Sequence, residues 1–317
     1  MSLVAWTVYD IPEQLGRVAV VTGANGGLGL ATTRELARRG ARVVMAVRSM
    51  DKADAARRAI EADVPDAALE VRECDLASLN SVRGCADGIV RDHGRVDLLV
   101  NNAGVMGIPE LATADGFEMQ FGVNHLGHFT LTRRLLPALL AAPAARVVSV
   151  TSFARFTARP VRAANLHARG RYHPWRAYGQ SKLANLQFAV ELQRRLEAAN
   201  ATVLSLAAHP GLSHTDLQAR GVRETGGGLS QRFWHALAVV MGVPPDHGAR
   251  PLLRAATDPD ARGGDFYAPR WGSFGPPVRR PLWDRSRRRD AARQLWQISE
   301  RETDERFDVE EIVRGRG

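Results

Sequence analysis

This sequence has few cysteines, few lysines and no long apolar run. Cys74 and Cys85 are its two cysteines in 317 residues, too few for a disulfide framework, and each is expected to be a small buried or partly buried side chain. No stretch approaches the roughly 18 apolar residues of a membrane span, and residues 1–16 lack a signal-peptide pattern. The nine histidines do not fall in metal-ligand spacings with acids. We therefore expect no metal centre and no membrane span, with the cytoplasm as the default location.

Lysine is scarce in a chain that is rich in arginine. Lys52 and Lys182 are the two lysines, against 41 arginines. Lys182 follows Tyr178 by four positions, so on a helix the ammonium and the phenol share a face about 5–6 Å apart. A nearby cation lowers the pKa of a tyrosine from its ordinary value of about 10. A flexible ammonium also differs chemically from a planar guanidinium, which favours lysine here. The pair predicts acid-base catalysis, with chance spacing as the alternative.

A glycine-rich turn follows the first apolar run. The β-branched segment 17–22 is typical of a buried strand, and it leads into Gly23, Gly27 and Gly29. Good helix formers then continue from Leu30 to Arg39. Glycines at such a turn let the backbone approach a pyrophosphate, and the helix N-terminus offers N–H groups to it. Strand, turn and helix together predict a dinucleotide site, whereas a tight connection without a ligand is the alternative.

Strand and helix patterns alternate along the chain. Strands are predicted at 17–22, 42–47, 69–73, 96–101, 146–151 and 201–208, and helices at 28–39, 51–62, 78–92, 115–140 and 175–199. This βαβ alternation predicts an α/β fold with a single Rossmann-like doubly wound parallel sheet flanked by helices.

The remaining segments complete one domain over 1–317. Predicted loops lie at 242–248 and 270–281, with an edge-strand candidate at 264–268. We expect a cofactor-binding and catalytic core at 17–210, a substrate-side segment at 211–281 and a C-terminal helix and tail at 282–317.

Four motifs in this order resemble the short-chain dehydrogenase/reductase family over nearly the whole chain. They are Thr-Gly-x-x-x-Gly-x-Gly at 22–29, Asn101-Asn102-Ala103-Gly104, Ser152, and Tyr178-x-x-x-Lys182. The runs 121–129, 181–185 and 209–211 resemble the retinol-dehydrogenase-like and WW-domain-oxidoreductase-like branch. The resemblance implies a Rossmann fold and an NAD(P)-dependent oxidoreductase, of a bacterial type without a membrane anchor.

The resemblance also implies four catalytic residues: Asn124, Ser152, Tyr178 and Lys182. Tyr178 exchanges a proton with the substrate oxygen, while Lys182 lowers its pKa and hydrogen-bonds the nicotinamide ribose. Ser152 donates a hydrogen bond to the same oxygen, with Thr151 as the rival candidate. Asn124 holds a lysine-linked water through its helix backbone, the alternative being an ordinary helix asparagine.

A larger set of residues is implied to contact the cofactor. Asp75 and Leu76 would lie at the adenine ring, although Asp75 could instead cap the next helix. The set comprises Gly23, Asn25, Gly27, Leu28, Gly29, Arg48, Asp75, Leu76, Asn102, Ala103, Gly104, Tyr178, Lys182, Pro210, Gly211 and Thr215.

The end of the second predicted strand indicates which nicotinamide cofactor binds. An acidic residue there would hold a ribose 2′-hydroxyl, but Arg48 and Ser49 follow Val47, and the first acid, Asp51, is placed to cap the next helix. An arginine can pair with a 2′-phosphate. We therefore expect NADP(H) rather than NAD(H), with a surface arginine as the alternative.

The expected reaction is hydride transfer to or from a carbonyl or alcohol of a bulky, partly apolar small molecule. The 26-residue interval between Ser152 and Tyr178 is aromatic, with Phe153, Phe156 and Trp175 among its residues, and could form a pocket wall. One alternative is reduction of a carbon–carbon double bond, as in protochlorophyllide-reductase-like relatives. Another is a non-catalytic, dinucleotide-sensing interaction protein.

The net charge of +9 does not indicate a nucleic-acid partner, because most basic residues are dispersed and accompanied by acids. The arginine cluster at 279–289 is interpreted as a solvated helix face. His125 and His128 share a helical face, where packing is the preferred interpretation. The helices at 115–140 and 175–199 resemble those through which family members dimerise, so a homodimer is one expected assembly, unless the sheet covers their apolar faces.

Overall fold

The structure, a computed structural model, describes residues 5–162, 166, 172–211, 244–282 and 285–315. Its strands in these ranges are β1 Val18–Thr22, β2 Arg42–Val47, β3 Leu69–Glu73, β4 Leu98–Asn101, β5 Arg146–Val150, β6 Leu204–Ala208, β7 Phe266–Pro269 and β8 Pro277–Arg280. They form one sheet in the order β3-β2-β1-β4-β5-β6-β7-β8, parallel except for β8. The predicted doubly wound α/β fold is confirmed.

Helices connect the strands and cover both faces of the sheet. They are α1 Gly27–Arg38, α2 Met50–Asp63, α3 Leu79–His93, α4 Met119–Phe121, α5 Gly127–Leu140, α6 Pro174–Ala198, α7 Pro245–Thr257, α8 Arg285–Thr303 and α9 Val309–Arg314. One π-helical turn, Gly122–Leu126, joins α4 to α5. Short 3₁₀ turns occupy Val8–Asp10 and Phe153–Thr157.

The strand order opens a crevice at the carboxyl ends of β1 and β4. In register, Val20 of β1 lies beside Val44 of β2 on one side and Leu99 of β4 on the other. The chain leaves β1 toward β2 and returns to β4 on the opposite side, so the two connections diverge above the sheet. Ligands of doubly wound folds bind at such a switch point.

Two apolar clusters sandwich the sheet. One contains side chains of α1, α2 and α7, and the other contains side chains of α3, α5 and α6. The second also takes in the C-terminal segment, because Trp296 of α8 stacks on Phe188 with ring centroids 5.8 Å apart. The buried carboxylate of Glu305 accepts hydrogen bonds from Arg83 and Arg134, 2.9 and 3.0 Å away. Helix α8 and the residues that follow it therefore pack against the face of the sheet that carries α6.

The helix predicted at 115–140 was wrong in its start and its regularity. Helical structure begins at Met119, where the Glu118 side chain accepts hydrogen bonds from the first-turn N–H groups of Gln120 and Phe121. The π-helical turn then interrupts the α-helical period around Asn124. A π-helical turn of this kind is confined to about one turn, which is too short for an apolar period to reveal.

Two predicted loops contain regular structure. Residues 245–248 belong to α7, because a proline at the first helical position costs the helix no hydrogen bond. Residues 277–280 form β8, which pairs antiparallel with β7 through a turn in which Gly272 and Gly275 have positive φ angles. The predicted edge strand therefore lies inside the sheet, and β8 is the edge.

Cys74 and Cys85 are free and buried. Within the described ranges, none of the helices is long and apolar enough to cross a membrane. Nor do the described histidine, cysteine, aspartate and glutamate side chains include a group of three or more arranged to hold a metal ion.

Candidate active site

The turn after β1 is shaped for the close approach of a ligand. Gly23 has a φ of +66°, and a Cβ added to it would lie 3.1 Å from the Cβ of Ala103. A Cβ on Gly29 would lie 2.2 Å from the Gly23 carbonyl oxygen. The N-cap of α1 is Gly26, which has no side chain to compete with a ligand for the first N–H groups of the helix. The turn and the helix N-terminus therefore fit the pyrophosphate of a dinucleotide.

Thr22 ties this turn to the segment that follows β4. Its Oγ1 accepts hydrogen bonds from the backbone N–H groups of Asn102 and Ala103, at 2.9 and 3.0 Å. The Asn102 side chain donates in return to the Thr22 carbonyl, 2.8 Å away. These bonds fix the two loops that line the crevice in one relative position.

Gly104 and Asn124 continue this lining toward the centre of the site. A Cβ on Gly104 would lie 2.8 Å from Asn124 Oδ1 and 3.5 Å from Lys182 Nζ. Asn124 is fully buried; its Oδ1 accepts from the Val105 N–H at 2.7 Å, and its Nδ2 donates to Ser181 Oγ at 2.8 Å. Its side chain therefore links the loop after β4 to α6, and its backbone lies in the π-helical turn.

Tyr178 and Lys182 share one face of α6, as their spacing predicted. Both are buried, with 7% and 5% of their surface exposed. Lys182 Nζ lies 5.8 Å from the centroid of the Tyr178 ring and donates to the Val150 carbonyl at 3.3 Å. Asn185 Nδ2 donates to the same carbonyl at 3.0 Å. The last residue of β5 therefore anchors the ammonium beside the phenol.

Ser152 and Thr151 have different surroundings. The Thr151 hydroxyl is buried and donates to the Lys182 carbonyl at 2.7 Å, so its proton is committed to α6. Ser152 is partly exposed, its side chain is near enough to that of Tyr178 to lower the pKa of the phenol, and its Oγ accepts from the Ala154 N–H at 3.3 Å. Of the two hydroxyls, that of Ser152 can reach a ligand that also contacts Tyr178.

Burial controls the protonation of the Tyr178 and Lys182 side chains. Burial raises the pKa of Tyr178 to about 12, and the hydrogen bond with Ser152 acts in the opposite direction. Burial also lowers the pKa of Lys182 to about 8. The pKa of Tyr178 therefore lies above its ordinary value, because desolvation of the phenolate dominates, and a lowering contribution from the Lys182 ammonium stays a prediction. A phenol that retains its proton is suited to donating it to a developing oxyanion.

Arg48 is exposed and follows β2 directly, at the same edge of the sheet as the glycine turn. The expectation that Asp51 caps the next helix was wrong. Ser49 is the N-cap of α2, and Asp51 lies in the first turn, where its charge is favourable to the helix dipole. No acidic side chain thus occupies the first two positions after β2.

Other implied cofactor residues follow β1 and β3 at the carboxyl edge of the parallel sheet. Asp75 follows β3, and its Oδ1 accepts from the Ala77 N–H at 3.0 Å, while the next helix is capped by Ser78. Leu76 is buried, with 6% of its surface exposed. Asn25 and Leu28 are partly exposed in the glycine turn.

Pro210 and Gly211 follow β6 at the same end of the sheet. Gly211 has a φ of +82°, and a Cβ on it would lie 2.3 Å from the Ser273 carbonyl oxygen, which explains the need for glycine there. Thr215 lies outside the described residues.

Aromatic side chains surround the outer side of Ser152. The rings of Phe153 and His209 lie 4.2 Å apart, and Phe156 stacks on Phe153 at 6.1 Å. Trp175 packs edge-on to Tyr178, with ring centroids 6.2 Å apart, and would contact a Cβ on Gly107 at 3.4 Å.

Sequence reasoning missed the contribution of the β7–β8 turn. Trp271 and Phe274 lie in this turn with 62% and 54% of their surfaces exposed. A Cβ on Gly272, in the same turn, would lie 3.2 Å from Phe153 Cζ. The signal was present as two aromatics in a predicted loop, but only the pairing of β7 with β8 forms the turn whose Gly272 lies beside Phe153.

Comparison with known proteins agrees with this geometry. A family model described as short chain dehydrogenase matches residues 17–225. Human retinol dehydrogenase 13 is 46% identical over 203 residues, which are 64% of this chain and 60% of that protein, so less than two thirds of its length is matched. Mouse retinol dehydrogenase 12 is 37% identical over 298 residues, covering 93% of this chain and 88% of that protein.

Solved structures extend the similarity to three dimensions. The crystal structure of an uncharacterized protein from Mycobacterium Paratuberculosis is 44% identical and has a TM-score of 0.79, covering 96% of this chain and 99% of that chain. A protein described as an NAD(P) dependent gluconate 5-dehydrogenase from Beutenbergia cavernae, with bound NADP at low occupancy, is 26% identical. Its TM-score is 0.61, and the match covers 80% of this chain and 95% of that chain.

Proposed function

This chain belongs to the short chain dehydrogenase family and is an NAD(P)-dependent oxidoreductase; from that premise we propose that it reduces the carbonyl of a bulky, partly apolar small molecule, or oxidises the corresponding alcohol. The observation that carries the proposal is the convergence of Ser152, Tyr178 and Lys182. The Ser152 side chain lowers the pKa of the Tyr178 phenol, and the Lys182 ammonium lies 5.8 Å from the centroid of the Tyr178 ring. These are the groups that a carbonyl reduction requires.

Each residue has a defined role in the proposed reduction. A bound nicotinamide would supply a hydride, that is, a hydrogen with the electron pair that forms the new C–H bond. Tyr178 donates its proton to the carbonyl oxygen as negative charge develops there, and Ser152 donates a hydrogen bond to that oxygen. Lys182, charged below a pKa of about 8, stabilises the resulting phenolate until solvent returns the proton. Oxidation of the alcohol reverses these steps.

We propose NADP(H) as the preferred cofactor. Arg48 is exposed directly after β2, where a 2′-phosphate would be recognised, and Ser49 rather than an acid follows it. Gly23 and Gly29 leave room for the pyrophosphate. The likeness to a protein with bound NADP supports the same preference.

The aromatic surroundings of Ser152 favour a large apolar substrate. Phe153 follows Ser152 directly and Trp175 packs edge-on to Tyr178, so both offer flat, apolar surfaces close to the catalytic hydroxyls. The relatives named retinol dehydrogenases suggest retinal as one member of a test panel.

The proposal is tested by following NADPH oxidation with bulky aldehydes, ketones and enones, retinal included. We expect turnover by the wild type and a loss in kcat of roughly 10²–10⁴-fold in Tyr178→Phe, because the general acid is removed. The matched control is Tyr267→Phe: Tyr267 is also buried, but its hydroxyl donates to Asp258 at 3.2 Å, outside the site.

Product analysis with the enones distinguishes carbonyl reduction from reduction of the carbon–carbon double bond. Turnover that persists unchanged in Tyr178→Phe would contradict the proposed mechanism. NADPH binding without turnover on any compound would instead favour a dinucleotide-sensing protein.

A further inference from the structure

We propose that His128 is a positioning residue that joins the cofactor-binding turn to the backbone of Asn124. This inference rests on the proposed function, since it assigns a role toward the dinucleotide and the catalytic residues. His128 lies in the first turn of α5, which places it between the end of β1 and the π-helical turn.

Both ring nitrogens of His128 are engaged. Nε2 lies 2.8 Å from Thr22 Oγ1, and Nδ1 lies 3.0 Å from the Asn124 carbonyl oxygen. Thr22 directly precedes Gly23 and accepts the N–H groups of Asn102 and Ala103. One imidazole therefore connects both loops of the cofactor crevice to the residue whose backbone was implied in the catalytic relay.

The hydrogen-bond partners of the two ring nitrogens determine the tautomer of His128. A backbone carbonyl only accepts, so His128 Nδ1 carries the proton and donates to Asn124. Nε2 of the neutral ring is then an acceptor, and the Thr22 hydroxyl must donate to it. The two lone pairs of Thr22 Oγ1 receive the N–H groups of Asn102 and Ala103, while the rival acceptor, the Val100 carbonyl, is farther away at 3.3 Å. In this arrangement each of these donors and acceptors has a hydrogen-bond partner.

The arrangement is enclosed in the core. Thr22 and Asn124 are fully buried, and His128 has 3% of its surface exposed. Burial lowers the pKa of His128 to about 4, and the charge of nearby Lys182 acts in the same direction, so the ring is neutral as the tautomer requires. An apolar side chain at this position would leave the Thr22 hydroxyl and the Asn124 carbonyl without their histidine partner in a water-poor site.

Two conservative substitutions test the two hydrogen bonds of His128 separately. The amide of His128→Asn can replace the Nδ1 donor to Asn124 but does not reach Thr22. The longer His128→Gln can replace the Nε2 acceptor for Thr22 but places its amide away from Asn124. We expect His128→Gln to retain NADPH affinity better and His128→Asn to retain kcat better, because Thr22 supports the cofactor turn and Asn124 the catalytic centre.

His128→Phe removes the hydrogen bonds to both Thr22 and Asn124. The matched control is His125→Phe, three residues earlier in the sequence. His125 is equally buried and neutral but hydrogen-bonds Ser299 of α8 at 2.8 Å instead of the cofactor turn. Its ring lies among Phe121 and Phe129, so His125→Phe fits its surroundings. The measurements are the NADPH dissociation constant by tryptophan fluorescence, kcat and KM, and Tm for each variant.

We expect His128→Phe to raise the NADPH dissociation constant and to lower kcat, each by roughly tenfold relative to His125→Phe. Equal effects of the two variants, or equal profiles of His128→Asn and His128→Gln, would overturn the proposal and leave a packing role. The second comparison decides the question even if His128→Phe does not fold.

Failure of the proposed function is distinguishable from failure of this inference. A wild type that binds NADPH but turns over no carbonyl would contradict the proposed reaction, while the dissociation constants of the His128 variants would still decide the positioning role. A wild type that binds no dinucleotide would overturn both.

Discussion

Lys182 Nζ hydrogen-bonds the Val150 carbonyl at 3.3 Å while lying 5.8 Å from the centroid of the Tyr178 ring. The ammonium is thus held by the end of β5, in a position fixed by the sheet rather than by the tyrosine. Gly104 also borders it, since a Cβ there would lie 3.5 Å from Nζ. This tight enclosure gives a structural reason for lysine in a chain that otherwise favours arginine.

Lys182→Arg is expected to lose most of its activity although the charge is kept. A planar guanidinium is larger than an ammonium and cannot occupy the space between Val150 and Gly104 with the same hydrogen bond. We expect kcat to fall by at least about 100-fold, within the range for disturbed acid-base catalysis. The control is Lys52→Arg, at the other, exposed lysine on α2, which should match the wild type. Equal kcat values for the two variants would contradict this role.

Carbonyl reduction is expected to weaken at alkaline pH. Burial lowers the pKa of Lys182 to about 8, so its positive charge is present below that pH and is lost above it. Burial raises the pKa of Tyr178 to about 12, so the phenol keeps its proton throughout this range. The profile of kcat/KM, which reports ionisations of the free enzyme, should therefore fall above about pH 8. A profile that is flat up to about pH 10 would contradict this assignment.

Arg48→Ala is expected to weaken NADPH binding selectively. Loss of a charge-assisted hydrogen bond to the 2′-phosphate should cost about 1.5–3 kcal/mol, or roughly 10- to 100-fold in the dissociation constant. NADH affinity should not change, because NADH lacks that phosphate. Arg42→Ala is the control, since Arg42 is exposed at the opposite end of the same strand. Parallel losses for both cofactors would exclude recognition of the 2′-phosphate by Arg48.

The protein is expected to lose stability in mild acid through its buried histidines. Burial lowers the pKa of His125 to about 3 and that of His128 to about 4, from an ordinary value of 6.5. Below pH 6.5 the unfolded chain therefore binds protons that the folded chain does not, and the free energy of unfolding falls with pH. Each such histidine contributes roughly 1.4 kcal/mol per pH unit.

Thermal unfolding between pH 6.5 and about pH 5 measures this effect. His125→Phe removes one titrating group and should give a shallower decline in Tm than the wild type. Identical slopes would show that His125 does not contribute to the acid sensitivity.

Gly29→Ala is expected to destabilise the fold and disturb the cofactor turn. Its Cβ would lie 2.2 Å from the Gly23 carbonyl oxygen and 2.7 Å from Asn102 Nδ2, so the backbone of the turn must move. Overpacking of this kind costs about 1–3 kcal/mol. Gly84→Ala on α3 is the matched control, because a Cβ there meets nothing within 4 Å and alanine favours a helix by about 0.5–1 kcal/mol. Denaturant unfolding and NADPH titration of both variants test the difference, and an unchanged Gly29→Ala would refute it.

The sequence was most informative where local pattern and chemistry coincide. The bounds of β2 were predicted correctly from an apolar run, those of β3 were also correct, and α6 was predicted within one residue at each end. Such runs report burial directly, because strands covered on both faces are apolar at successive positions. Segments whose structure depends on distant partners were predicted poorly. β8 forms by pairing with the free edge of β7, and no local apolar pattern predicts it.

By itself the sequence determined the order of the motifs, the parallel α/β architecture and the placement of Tyr178 and Lys182 on one helical face. These features follow from spacing along the chain, since helix and strand periods are local geometry. Only the tertiary structure decided which hydroxyl, that of Ser152 or Thr151, accompanies the phenol. It also decided that burial raises the tyrosine pKa and that His128 hydrogen-bonds both Thr22 and the Asn124 carbonyl. Desolvation and hydrogen bonds between distant segments are properties of the packed interior, which the one-dimensional pattern does not contain.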